Sequence, residues 1–399
     1  MDFWTKLRRP IFALAPMANV TDAAFRRIIA KYGRPSVMFT EFVSVEGLLS
    51  AGRGKLLVDF MYSEFERPIV AQIFGGKPEQ FTKVAKLISE LGFDGIDINM
   101  GCPDSGVEKS GGGAALIKNP KLAQEIIKAT QAGAPNLPLS VKTRLGYNKN
   151  EIETWLPALL ETELAAITIH LRTRKEMSFV PAHWEEMEKI VDLRDKMFGS
   201  PSTSSGRLKE RTLLIGNGDV ENLEQAREKI DQYSCDGVMI GRGIFGNPWL
   251  FAGLQHSHIL KNVRMLYVPT VEEKLRVCLE HTKLFEELYG PPSAGGFIPP
   301  FLKEVPRISP FVKGVPERQG IFRGGGFLPK SLPRDGVLPL KKGEGRLKPF
   351  DIMKKHYKAY INGFPACRQA GMSAKELRGK LMSAKNVDEV EGLISDFLK

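Results

Sequence analysis

Cys102 sits in the run GIDINMGCPDSGVEKSGGGAALIKNP (95–120), after a strand-like stretch and before a proline and three consecutive glycines. A thiol on such a segment, at the mouth of the fold, can carry chemistry that needs a single cysteine. The same residue can also be a small buried hydrophobe, a common fate of free cysteines. Cys235, Cys278 and Cys367 fall in helical or pre-strand contexts and read as structural. None of the four cysteines forms a CxxC pair, which argues against a zinc site, an iron–sulfur cluster or a disulfide framework, so no metal is expected.

Two further segments, IGNGDV (215–220) and MIGRGIFGNP (239–248), have the composition of an anion cradle. Gly218 and Gly241 allow a close backbone approach, and Arg242 can add a charge-assisted contact to a phosphate. Each segment alone would be an ordinary strand-to-helix turn; together they favour a bound phosphate. Lys142 and Arg144 alternate and so face the same side of one strand. Gln72 offers donors and acceptors suited to the polar edge of a flat heterocycle. His170 can contact a cofactor or a substrate, or be a satisfied core histidine. No role is assigned to His183, His256, His258, His281 or His356.

These residues need elements to carry them. Strand-like runs occur at 10–17, 36–43, 68–74, 95–102, 139–146, 165–171, 212–218 and 237–243, separated by amphipathic helical stretches such as PEQFTKVAKLISELG and NPKLAQEIIKATQAG. Eight such units in about 240 residues predict an α/β fold of the (β/α)8 TIM-barrel type over residues 1–255. Gln72, Asn99, Cys102, Lys142, Arg144, His170, Asn217 and Arg242 all fall at strand C-terminal ends, where barrels of this kind place their active sites. Beyond residue 270 the pattern is helical, predicting a smaller α-helical C-terminal domain over 256–290 and 350–399.

Between those helical parts, residues 291–349 hold 11 prolines and 10 glycines and read as a flexible basic insertion. A smaller Ser/Gly/Pro-rich insertion, 198–211, reads as a surface loop. The chain has 399 residues, 42% hydrophobic and 26% charged, which excludes a wholly disordered or fibrous protein. No apolar run is long enough to span a bilayer, and the N-terminal stretch does not read as a signal peptide. A cytoplasmic protein is expected, with no membrane and no obligate protein partner evident. The net charge is +11, yet residues 1–290 carry 37 basic against 36 acidic side chains, and the excess lies in 291–349 (11 against 4) and 350–399 (9 against 6). A polyanionic partner fits this balance.

Together APMANVTDAAFR (15–26), TEFVSVEGL (40–48), VAQIFGGKPEQF (70–81), DINMGCP (97–103), GGGAALIKNP (111–120), VKTRLG (141–146), ITIHLRTR (167–174), IGNGDV and MIGRGIFGNPWLF (239–251) resemble the tRNA-dihydrouridine synthase family. A weaker match lies at KKHYKAYINGFP (354–365). The resemblance implies an FMN-dependent barrel that reduces the C5=C6 bond of uridine in tRNA with NADPH as electron donor. By position, Pro16, Met17 and Ala18 would lie against the flavin ring, Gln72 and Lys142 would bond its polar edge, and His170 would lie beside it. Asn217, Gly218, Asp219, Gly241 and Arg242 would hold the ribityl phosphate. Cys102 would protonate C5 after hydride reaches C6 from flavin N5, and Asn99 and Arg144 would face the uracil. The helical C-terminal domain would grip the tRNA.

The sequence departs from the family pattern at Asn19, at the pair Ala23-Ala24 and at Leu171, where glycine or proline is more usual. Two other readings share parts of this pattern. An FMN barrel acting on a free pyrimidine, of the dihydroorotate or dihydropyrimidine dehydrogenase type, would need no basic helical domain. A noncatalytic tRNA-binding barrel would not need an acid at Cys102. NADPH over NADH rests on the resemblance alone, since no separate dinucleotide fingerprint is present.

Overall fold

A computed structural model describes residues 2–198, 211–254, 267–291, 346–364, 368–369 and 371–399. The proposed loop between 199 and 210, residues 292–345 of the predicted insertion, and Cys367 lie outside them. Among the described residues, nine short strands form one parallel sheet: β1 (Ile11–Leu14), β2 (Met38–Phe39), β3 (Val43–Ser44), β4 (Ile69–Phe74), β5 (Gly95–Asn99), β6 (Leu139–Arg144), β7 (Ala166–His170), β8 (Leu213–Asn217) and β9 (Gly237–Ile240). Their order is β1-β9-β8-β7-β6-β5-β4-β2, with β3 also on β4. A parallel bridge between Ala13 and Val37, flanked by the bonds Ser36 N–H to Phe12 O (2.8 Å) and Leu14 N–H to Val37 O (3.2 Å), joins the two ends into a barrel.

All eight predicted strands are present. The second is split into β2 and β3 because Thr40 interrupts the ladder: its N–H bonds Val70 O at 3.0 Å, while its Oγ1, in place of a backbone carbonyl, accepts the Gln72 N–H at 3.1 Å. Several strands end earlier than their apolar runs suggest. The run 95–102, for instance, leaves the sheet at Asn99, whose side chain turns the chain.

The period-two alternation of the strands sorts their residues between the inside and the outside of the barrel. Ile11, Ala13, Ala15, Val37, Phe39, Val70, Ala166, Leu213, Ile215 and Met239 share one apolar cluster, with Trp4 packed into it. On the same face, moving toward the C-terminal ends, β5 and β6 contribute Asp97, Asn99, Ser140, Lys142 and Arg144. The barrel interior is thus apolar at one end and charged at the other.

Among the described residues, six helices of nine or more residues surround the strands: α1 (Ala23–Tyr32), α2 (Pro78–Glu90), α3 (Pro120–Gly133), α4 (Ile152–Leu160), α5 (Glu186–Phe198) and α6 (Leu223–Tyr233). Asp22, Asn119 and Asn222 cap α1, α3 and α6, and a proline opens α2 and α3, as the sequence signals require. The helical C-terminal part comprises α7 (Val271–Tyr289), α8 (Met353–Ile361), α9 (Ala374–Ser383) and α10 (Val387–Leu398). No described helix is long and apolar enough to cross a membrane.

The C-terminal helices share a second hydrophobic core with the barrel. Ala23, Ala24 and Ile28 of α1, with Val58, Met61 and Trp249, pack against Leu275, Phe285, Tyr289, Met353, Tyr357 and Leu381. The Ala23-Ala24 departure therefore has a packing reason, since both methyl groups are buried in this seam. Buried polar groups also cross it. Tyr289 OH accepts the Ala23 N–H at 3.0 Å, one of the donors that the first turn of a helix leaves unpaired. Arg346 pairs with Glu286 at 2.5 Å, and Lys348 pairs with both Glu41 and Asp59 (2.8 Å) while 92% buried. The last four residues of the predicted insertion, 346–349, are thus part of this packed seam.

Candidate active site at the barrel mouth

Hydrogen bonds hold the polar side chains at the charged end of the barrel. Gln72 is fully buried and donates from Nε2 to Asp97 Oδ2 at 2.7 Å, while its Oε1 accepts from Asn99 Nδ2 at 3.1 Å. Ser140 Oγ donates to the other Asp97 oxygen at 2.6 Å. Asn99 Oδ1 accepts the N–H groups of Gly101 (3.1 Å) and Cys102 (2.9 Å), a tight turn that fixes where the Cys102 side chain leaves the strand. Asn99, expected to face a substrate, thus has its oxygen engaged in holding the thiol in place.

Lys142 Nζ reaches across the barrel to Asn217 Oδ1 at 3.2 Å, and Asn217 Nδ2 donates to Met239 O at 2.8 Å. Burial, and then the neighbouring Arg144, push the Lys142 ammonium down to about 8. Arg144 is anchored by three carbonyls: Gly101 O at 2.7 Å, Thr173 O at 3.1 Å and Met177 O at 3.1 Å. Cys102 is partly exposed. Burial raises its pKa, outweighing Arg144 and Lys142, which favour the thiolate. The thiol therefore stays protonated at neutral pH.

His170 ends β7. Burial, reinforced by Lys142, Arg144, Arg172 and Arg242, drives its pKa far below the usual range, so the ring is neutral. Its Nε2 lies 3.1 Å from Arg172 Nη1. A guanidinium only donates, so Nε2 is the acceptor and Nδ1 carries the proton. Leu171, the other departure, points the opposite way and is buried in the outer core, so it does not crowd the histidine's face of the strand.

The two glycine-rich loops lie side by side on β8 and β9. The N–H groups of Gly218 and Asp219 donate to no partner among the described residues. Gly218 has φ of 137°, and Asp219 holds φ of 48° in the left-handed region. The Asp219 carboxylate is engaged within the protein: Oδ2 meets Arg172 and the Ala182 N–H (2.9 Å), and Oδ1 meets Arg242 at 2.9 Å. Burial alone would raise Asp219, but these cations and the N–H hold it below the usual carboxylate range. An added Cβ at Gly241 would meet nothing nearer than Ala15 Cβ at 3.6 Å and Met17 Sδ at 3.8 Å, so the space before this glycine is open. Free N–H groups, open space and the exposed Arg242 suit an anion such as a phosphate. The residues present therefore fit a phosphate-bearing cofactor.

Pro16, Met17, Ala18 and Asn19 form the turn between β1 and α1. Pro16 is buried, Met17 is half-buried, and Ala18 and Asn19 are exposed. Asn19 has φ of 56°, a conformation that asparagine tolerates better than most residues, which explains why it can stand where glycine is more usual. Its N–H donates to the Glu41 carboxylate, tying this turn to the seam with the C-terminal helices.

Asp97, Ser140 and Arg172 belong to the site but are absent from the sequence-level set. The signal for Asp97 was present: it lies two residues before Asn99 and therefore faces the same way. Burial pushes its carboxyl up to about 6 against the donors Ser140 and Gln72. The folded pKa lies above the unfolded value near ~3.9, so the protonated form stabilises the fold. That contribution is complete below about pH 4 and is lost as pH rises through about 6. Asp97→Asn should flatten the stability profile in this window when unfolding is followed in denaturant; an unchanged slope would assign the proton elsewhere.

The chain is similar to several known proteins. Residues 13–296 match the family model described as Dihydrouridine synthase (Dus). The chain is 46% identical over 268 residues to a "Probable tRNA-dihydrouridine synthase" of Staphylococcus aureus (strain MRSA252), covering 66% of this chain and 76% of the relative. It is 36% identical to "Probable tRNA-dihydrouridine synthase 2" of Bacillus subtilis (strain 168), covering 99% of this chain and 96% of the relative. An old yellow enzyme homologue from Zymomonas mobilis superposes with a TM-score of 0.42 at 13% identity, covering 66% of this chain and 92% of that one. A family match over residues 13–296, together with a relative matched along nearly the full length, makes this chain a member of the dihydrouridine synthase family.

Proposed function

We propose that the chain reduces the C5=C6 bond of uridine in tRNA to 5,6-dihydrouridine, with FMN held at the barrel mouth and NADPH as electron donor. The observation that carries this reading is the Cys102 side chain, its main-chain N–H held by Asn99, on the same rim as a group of residues suited to an anion, Gly218, Asp219, Gly241 and Arg242. When bound, reduced FMN would supply hydride chemistry at C6. The protein supplies the rest. Cys102 delivers a proton to C5 from the face opposite the hydride.

In this reading the backbone N–H groups of Gly218 and Asp219, with Gly241 and Arg242, hold the cofactor phosphate, and the Asp219 carboxylate orients Arg242. Lys142, anchored by Asn217, and Gln72, anchored by Asp97, face the ring's polar edge, and Pro16, Met17 and Ala18 lie against the ring. His170, neutral, offers its Nδ1–H. Arg144 and Asn99 border the uracil, which must leave its stack to enter the mouth. The helices α7–α10, with residues 346–349, form the part that grips the tRNA. Such a substrate implies the cytoplasm.

Purified protein reconstituted with FMN should be yellow, and tRNA from a strain lacking the gene should lose dihydrouridine at one or more positions, read by mass spectrometry. Unchanged tRNA would overturn the reading. Turnover of a free pyrimidine in its place would favour a small-molecule dehydrogenase.

A further inference from the structure

The loop joining β7 to α5 is pinned at several points. Thr173 O and Met177 O both accept from Arg144, and Val180 O accepts from Arg172 Nε at 2.6 Å. Arg174 pairs with Glu108 at 2.6 Å, on the segment following Cys102, and the Ala182 N–H bonds Asp219. The loop therefore bridges the segments after β5, β6 and β8. Within it Met177 holds φ of 52°, a left-handed conformation that costs a non-glycine residue about 1–2 kcal/mol. The tightly held turn exposes two apolar side chains, Phe179 at 83% and Met177 at 38%.

A single exposed hydrophobe on a mobile loop needs no explanation. An aromatic ring on a strained loop fixed to the arginines of the mouth is different, because the backbone that carries it is already held in place before anything binds. The rim that carries this loop also presents a second ring with cations over it, Tyr147, with Arg174 Cζ at 5.3 Å and Lys118 Nζ at 4.3 Å, and Lys175 is exposed in the loop itself. Aromatic rings interleaved with cations suit single-stranded nucleic acid, where bases stack and phosphates pair.

We propose that Phe179 is a stacking platform for an RNA base next to the target nucleotide, occupying the gap that base-flipping opens. This rests on tRNA being the substrate. Stacking on a preformed ring would help keep the RNA open while the target base sits in the mouth.

The test uses the FMN-loaded full-length protein and unmodified tRNA transcript. Phe179→Ala should weaken tRNA binding by between about 5- and 150-fold, the range for losing one base–aromatic stack. The slope of log affinity against log salt should stay unchanged, since no phosphate contact is lost. Phe179→Trp should bind within a few-fold of wild type, and flavin reduction by NADPH should be unaffected in both variants. Wild-type affinity in Phe179→Ala overturns the proposal, as does equal rescue by Phe179→Leu, which would mark a generic apolar or protein contact. Failure of the wild-type protein to bind tRNA or to form dihydrouridine would instead overturn the substrate reading.

Discussion

In Cys102→Ala, dihydrouridine formation on tRNA is expected to fall by about 10²- to 10⁴-fold, the usual contribution of a positioned proton donor. Flavin reduction by NADPH should proceed at the wild-type rate, because the thiol acts only after hydride reaches the base. The structure makes the separation clean. The Cys102 main chain is held through its N–H by Asn99 Oδ1, a bond that alanine keeps, so the loop should retain its course. Cys102→Ser should lie between wild type and alanine, because a hydroxyl occupies the same place but is a far weaker acid. Single-turnover mixing of reduced enzyme with tRNA measures the step directly. A rate within a few-fold of wild type in Cys102→Ala would place the proton donor elsewhere.

The second large effect concerns stability. Lys348→Met leaves Glu41 and Asp59 facing an apolar side chain in the seam between the barrel and the helices. Burial alone would lower the Lys348 pKa, but the two carboxylates hold it well above its ordinary value, so the charged pair is maintained. Removing one member of a buried ion pair costs about 3–5 kcal/mol, because the remaining charge stays desolvated. Denaturant unfolding should show that loss. The double variant Lys348→Met/Glu41→Gln should recover much of it, since the stranded charge is removed as well. If the single variant loses less than about 1 kcal/mol, water is reaching these carboxylates.

Much of the barrel was legible because parallel strands buried on both faces leave short continuous apolar runs, and turn residues punctuate them. The ends of strands were less legible. The second strand breaks at Thr40 through a side-chain bond that no periodicity encodes, and the 95–102 run stops at Asn99 because its amide turns the chain. The same limit applied to the site. Residues at strand ends were identifiable by type, but Asp97 and Arg172 lie just off those ends, and their roles come from partners distant in sequence. Asn99 and Asp219 were identifiable as site residues. The contacts that orient them, to the Cys102 N–H and to two arginines, exist only once the loops are folded together. Lys348 lies in a proline- and glycine-rich stretch, so nothing in its local composition marked it as a buried cation.

Chain geometry around α7 has a further consequence. The chain leaves that helix at Gly290 and Pro291, and when it returns the Leu347 N–H bonds Tyr289 O at 2.9 Å while Arg346 grips Glu286 one turn earlier. Entry and exit are therefore stapled together, like the two ends of a drawstring. Whatever is threaded between them adds little to the folding cost, since each doubling of a loop's length adds only about 0.6 kcal/mol. What the barrel and the helices require at this point is the pair Arg346 and Leu347 at the place of return, not a set number of residues ahead of it.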